Sequence, residues 1–213
     1  MAHFSSRTKR VIVSTSFKVM WSTLKRQKNL KKLKNLPLFF RKVGEGLGIL
    51  KKREHYLLVR NPYKRLESFF KDKFRKNVPV SRGQTVHRLF YPIWGITKEH
   101  SLAEIHQIIR AYPFEKFIKE LPNVYNKDPH LYPQFWTAFL GSKAFNWRAK
   151  HTGILKIENK ADIETLAKEL ELDLQKNINS TRDIETDIVW TAELKTIVNT
   201  IYKNDFQWYK YDF

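Results

Sequence analysis

An α/β fold with a mostly parallel sheet flanked by helices is predicted by three features of this 213-residue sequence. Apolar or β-branched runs of strand length recur at 10–17, 55–60 and 152–159, each followed by a segment with helical spacing. The second run, HYLLVR, is nearly continuous in apolar residues, as expected of a strand covered on both faces. No internal repeat or low-complexity linker divides the chain, so one domain over 1–213 is expected.

The first unit is RVIVSTSF (10–17), whose β-branched residues predict a strand. STLKRQKNLKKLKNL (22–36) then has helical periodicity, with Leu30, Leu33 and Leu36 as its buried stripe. A loop carrying Gly44, Gly46 and Gly48 leads to the strand HYLLVR (55–60). NPYKRLESFFKDKF follows as a helix, with Asn61 as N-cap and Pro62 in the first turn. Its residues Leu66, Phe69, Phe70 and Phe74 share one face. Helical periodicity over 101–121 is interrupted at Pro113, and 128–141 begins as a loop and becomes a short helix. TGILKIEN (152–159) is the third strand and 160–172 the helix after it. A long helix over 191–206 precedes the aromatic tail QWYKYDF.

With 42% hydrophobic and 14% aromatic residues the chain is too apolar to be disordered. Lys and Arg number 40 against 21 Asp and Glu, and the net charge of +19 favours anionic partners: nucleic acid, an anionic membrane surface, or phosphorylated or sulfated small molecules. There is no cysteine, which excludes disulfides, a thiolate nucleophile and a cysteine zinc site. The apolar run near residue 10 is too short for a signal peptide or membrane span. Basic residues at 25–34 can touch anionic lipid, although the leucines among them suit a buried stripe. The histidines at 3, 55, 100, 106 and 151 have no metal-ligand spacing, and no metal is expected.

In α/β sheets ligands bind at the carboxyl ends of strands, where helix N-termini present free N–H groups to anions. Lys18 at the end of the first strand, with Ser22, Thr23, the Leu24 amide and Lys25 at the opening of the helix, can converge on one phosphate; a solvated basic helix with a Ser cap is the alternative. The loop is not a Walker A sequence. Arg60 ends the second strand and Ser68 lies about two helical turns further on. A guanidinium there suits a bidentate phosphate contact, and a structural ion pair is its alternative.

These segments resemble a known family. KVMWSTLK (18–25) is similar to the 5′-phosphosulfate loop, and VRNPYKRLESFFKDKF (59–74) to the 3′-phosphate segment V-R-D-P-x-x-R-L-x-S-x-Y/F-x-D-K-F, of Golgi-type carbohydrate sulfotransferases and their bacterial relatives. Arg60, Pro62, Arg65, Leu66, Ser68, Asp72, Lys73 and Phe74 fall in register. HLYPQ (130–134) resembles the H-W-x-P-Q element, LKIEN (155–159) the later strand ending near a glutamate, and 201–211 the closing Y-x-x-D-F-x-x-F-x-Y pattern. Phe17, Ser22 and Leu131 depart from the usual Pro, Thr and Trp, and 78–128 match no named element.

The resemblance implies a P-loop-like three-layer fold and transfer of a sulfuryl group from 3′-phosphoadenosine 5′-phosphosulfate (PAPS) to a hydroxyl of a carbohydrate, without a metal. It gives Lys18 the leaving oxygen; Ser22, Thr23, Leu24 and Lys25 the 5′ side; and Arg60 and Ser68 the 3′-phosphate. His130 is the first candidate for the acceptor base, His87 the second, with Glu45 and Glu158 behind them and Glu158 read as structural. The expected acceptor is a carbohydrate, with an acidic polysaccharide, a lipid-linked glycan and a small metabolite all open. Lacking the anchor and disulfides of animal members, the chain is expected to be a soluble, cytoplasmic bacterial relative, with peripheral contact to the inner membrane open. A basic nucleic-acid-binding module and a nucleotide-dependent phosphotransferase are the alternatives.

Overall fold

A computed structural model describes residues 2–75, 89–138, 151–173, 184 and 186–213. His87 lies outside the described residues.

The sheet has five strands in the order β3-β1-β2-β4-β5: β1 Ala2–Ser6, β2 Val11–Thr15, β3 Leu30–Leu33, β4 Glu54–Val59 and β5 Gly153–Lys156. β2, β4 and β5 pair in parallel, and β1 joins β2 and β3 antiparallel. The three predicted strands form the parallel part, so their carboxyl ends share one sheet edge.

Helices cover both faces. On one face Val11, Val13, Leu58 and Leu155 pack with Leu24 of α1 (Trp21–Arg26) and with Leu166 and Leu170 of α6 (Lys160–Leu170). On the other, Ile12 meets Leu38 of α2 (Asn35–Gly46), and Leu57 and Val59 meet Tyr209 at the end of α8 (Lys203–Tyr209). α3 (Pro62–Phe70) is started by the Asn61 side chain, which accepts from the Tyr63 and Lys64 amides, and it runs into a π-helical turn, Lys71–Arg75. Its face of Leu66, Phe69, Phe70 and Phe74 is buried as predicted, against α4 (Leu102–Ala111), α5 (Phe114–Val124), α7 (Ala192–Ile201) and α8. Pro113 separates α4 from α5, as its missing N–H requires.

Several expectations fail. The helix predicted over 22–36 ends at Arg26 and the chain becomes β3. Gln27 and Asn29 donate to the carbonyls of Asp173, Leu170 and Glu171, which ties the chain to the end of α6 and turns it into an edge strand. Leu30 and Leu33, three apart, fall on opposite faces of a strand, and each reaches a different core. The glycine loop is largely helix: α2 runs through Gly46 and ends where Gly48 takes a φ of 73°. A Cβ on Gly44 would come within 2.9 Å of Leu50 Cδ1 and would displace the exposed tip of that side chain. The closing helix divides at the buried Tyr202, whose hydroxyl donates to the Leu131 carbonyl at 2.7 Å. β1 carries no strand pattern of its own and is held by its two neighbours.

Under α2 the sheet buries a polar cluster. The Ser14 hydroxyl lies 2.6 Å from both His3 Nδ1 and His55 Nε2, and the His55 and His151 rings are 4.5 Å apart. Burial, with His151, Lys42 and His3 alongside, pushes the His55 imidazole down to about 2. The unfolded chain therefore binds a proton on His55 below pH ~6.5 that the folded chain refuses, and stability falls by about 1.4 kcal/mol per pH unit from there downward. Denaturant unfolding at pH 6.5 and pH 5 should show a loss of about 2 kcal/mol from this group. In His55→Gln that part of the slope disappears; an unchanged slope would show that His55 charges freely in the folded state.

Candidate active site

The β2–α1 loop, 16–20, has a backbone strained in a way that marks it. Lys18 and Met20 have φ of 66° and 51°, left-handed values that cost a non-glycine residue about 1 kcal/mol or more. They are two of the four such residues described in the chain. Thr15 fixes the loop by donating to the Val19 carbonyl at 2.6 Å, and buried Val19 pins its underside. Met20 supplies no side-chain cap to α1. Ser22 and Thr23 stand in the first turn, Ser22 partly exposed and Thr23 nearly buried. Lys25 is exposed, its ammonium 5.0 Å from the centre of the Trp21 ring. Leu24 contributes differently from its neighbours: its amide donates to the Met20 carbonyl and its side chain is core.

The Lys18 ammonium is paired with the Asp72 carboxylate of the π-helical turn, and Lys73 lies 3.1 Å from the same carboxylate oxygen. A π turn breaks α-helical spacing, and such turns recur at functional sites. Burial alone would raise the Asp72 carboxyl, but Lys18 and Lys73 outweigh it and hold it down at about 2. The result is a cation fixed in place by a carboxylate that stays ionised.

Arg60 reaches the same loop from the next strand, its guanidinium donating to the Lys18 carbonyl at 3.2 Å. Its backbone is clamped by Gln134, whose side-chain oxygen accepts from the Arg60 N–H at 2.9 Å and whose Nε2 donates to the Arg60 carbonyl at 2.6 Å. The structural ion pair considered for Arg60 does not form: among the described residues no carboxylate lies within 4.0 Å of the guanidinium. Its Nε is buried without a hydrogen-bond partner. Ser68 is half-buried on α3.

His130 also stands beside the loop. Its ring centre is 4.2 Å from that of Phe17, the residue before Lys18, and 6.2 Å from that of Phe69. Asp128 Oδ1 lies 2.7 Å from His130 Nδ1 and accepts from the His130 backbone N–H at the same distance. Burial raises the Asp128 carboxyl, but the bonds from His130 more than offset it and the net shift is downward. Arg65, wholly buried, holds the segment in place by donating to the His130 and Tyr132 carbonyls at 3.3 and 2.8 Å. Asp205 accepts from the Gln134 and Phe135 amides, both at 2.8 Å; burial pushes its carboxyl up to about 6 despite Arg65 and those bonds.

The remaining base candidates separate. Glu158 accepts from the Asn61 N–H at 2.8 Å and the Tyr211 hydroxyl at 3.1 Å, the bracing role expected of it. Glu45 is buried on α2 and paired with Lys42 at 2.8 Å. Sequence reasoning gave no role to Asp72, Asp128 or Gln134, which orient Lys18, His130 and Arg60. Asp72 and Gln134 stand in the quoted motifs, and that was the available signal; Asp128 lies just before one.

Among the described residues no His, Asp or Glu cluster suited to a metal occurs. No helix there is long and apolar enough to cross a membrane. Searches of curated proteins and of solved structures gave no match. A scan of protein-family models matches the Sulfotransferase family over residues 5–212, nearly the whole chain, and the parallel sheet with cations at its carboxyl edge agrees with it. The chain belongs to the sulfotransferase family, enzymes that transfer sulfate and for which PAPS is the implied donor.

Proposed function

We propose that this sulfotransferase moves the sulfuryl group of PAPS to a hydroxyl of a carbohydrate by in-line displacement. The observation that carries the reading is the meeting of Lys18 and Arg60 at the ends of adjacent parallel strands, with the imidazole of His130 against the same loop. The donor supplies a sulfuryl group already activated by a phosphate leaving group. Arg60, its guanidinium held at the loop by the Lys18 carbonyl, and Ser68 hold the 3′-phosphate; the loop with Ser22, Thr23 and Lys25 holds the 5′ side.

Lys18 places positive charge where the leaving phosphate oxygen becomes negative, and Asp72 keeps the ammonium there so that little reorganisation is needed during reaction. His130 is the base. With Nδ1–H donating to Asp128, its Nε2 keeps the lone pair and takes the proton of the acceptor hydroxyl. The surplus of cations draws in the polyanionic donor and suits an acidic glycan, at rates that fall as salt screens the field.

His130→Ala should lower transfer by roughly 10²–10⁴-fold while donor affinity stays near that of the wild type. Full activity would remove His130 from the reaction and pass the role to His87 or Glu45. The function as a whole is tested by incubating the protein with sulfur-labelled PAPS and a glycan panel. Label appearing on a saccharide supports the reading, and turnover of the donor with label only on non-carbohydrate hydroxyls contradicts the acceptor class.

A further inference from the structure

The helix α2 carries apolar residues on its outer face and an ion pair on its inner one. Leu38, Lys42 and Glu45 lie on the side turned to the sheet, where the Glu45 side chain is 5% exposed and that of Lys42 10%. Phe40 and Leu47, seven residues apart and so on one face, point away from it and are 62% and 69% exposed. Gly44 lies between them on that face and is covered by Leu50, and the turn after the helix adds Ile49, 75% exposed. A surface helix ordinarily turns charge to water and apolar groups to the core. Here Leu38 still faces the core, but the Lys42–Glu45 ion pair faces in beside it while Phe40 and Leu47 face out.

The surroundings say what covers this face. Between residues 28 and 53 there are nine Lys or Arg residues and one acidic residue, Glu45, which is buried and paired with Lys42. Lys31 and Lys32 on the edge strand and Lys51 and Lys52 after the turn are exposed. A second copy of the chain would bring another +19 charge against this one, which disfavours self-pairing. A polyanion such as a nucleic acid would answer the cations and leave the apolar residues in water. An anionic bilayer satisfies both, taking the apolar side chains below the headgroups and the lysines among them.

We infer that the outer face of α2 and the 47–50 turn form a docking surface for an anionic phospholipid bilayer. The inference stands independently of the acceptor and of the reaction.

It is tested by sedimenting the full chain with vesicles of phosphatidylcholine alone and of phosphatidylcholine mixed with phosphatidylglycerol, at physiological ionic strength. The protein should partition onto the mixed vesicles only. Phe40→Ser with Ile49→Ser, and separately Lys51→Glu with Lys52→Glu, should each weaken partitioning at least roughly tenfold. All four positions are exposed, so thermal unfolding should be unchanged. In Ile49→Trp, mixed vesicles should shift the emission of the added tryptophan to the blue relative to wild type, a readout that survives if the serine variant misfolds. Binding that the serine variant retains in full would reduce the surface to a general polycation and overturn the inference. A wild-type dimer that becomes monomeric in the serine variant would assign the face to a second copy, and absence of both vesicle binding and the blue shift would reject docking altogether.

Discussion

Lys18→Ala is expected to lower kcat by roughly 10²–10³-fold, with a smaller effect on donor affinity. The asymmetry follows from what the ammonium is proposed to meet. In the ground state the bridging oxygen carries little charge, and the strand-end guanidinium with the loop amides supplies most of the hold on the donor. The charge grows only as the sulfur–oxygen bond breaks, and a donor fixed in advance by Asp72 acts then without reorganising. Asp72→Asn keeps the shape but removes the ionised partner, and should lower kcat less than loss of the lysine does. Steady-state kinetics with calorimetry of the donor product decide the point. Equal losses in affinity and turnover for Lys18→Ala would make the lysine a binding residue only.

Arg65→Ala should cause the largest loss of stability, about 3 kcal/mol or more. The side chain is 1% exposed and its guanidinium bridges the carbonyls of His130 and Tyr132 while lying 5.3 Å from the centre of the Tyr202 ring. Truncation leaves two carbonyls without their donor, opens a cavity among α3, α7 and α8, and takes away the positive charge that draws the Asp205 carboxyl down. For a chain of this size each kcal/mol corresponds to about 2–4 °C, so a fall in Tm of about 6–12 °C is expected. Arg65→Lys should not restore it, because one ammonium cannot reproduce the planar fork. A Tm within about 2 °C of wild type would show that the 130–135 segment is held by Gln134 and Asp205 without Arg65.

Local signals revealed the parts of the fold that depend on local chemistry. The continuous apolar run of HYLLVR gave the central parallel strand, and Asn61 followed by Pro62 gave the start of α3 to the residue. Arg60 was recognisable as a strand-end cation because it terminates that run. What stayed hidden depends on contacts distant in sequence. Two leucines three apart fit a helix and also fit an edge strand, and the ladder with β1 and the ties from Gln27 and Asn29 to α6 decide between them. β1 has no periodic pattern and takes its form from β2 and β3. The grip of Asp72 on Lys18 spans 54 positions and the clamp of Gln134 on Arg60 spans 74, so neither orientation could be read from spacing. The positions of the candidate cations at the strand ends were thus legible, and the residues that orient them were not.

The central claim is that Arg60 and the Lys18 loop grip one adenosine-based donor from two strand ends, and calorimetric titration with 3′,5′-diphosphoadenosine tests it most directly. The account predicts one-to-one binding, weakened at least about tenfold in Arg60→Ala and falling with added salt. Binding of equal strength in wild type and Arg60→Ala, or no binding by the folded wild type, would contradict it.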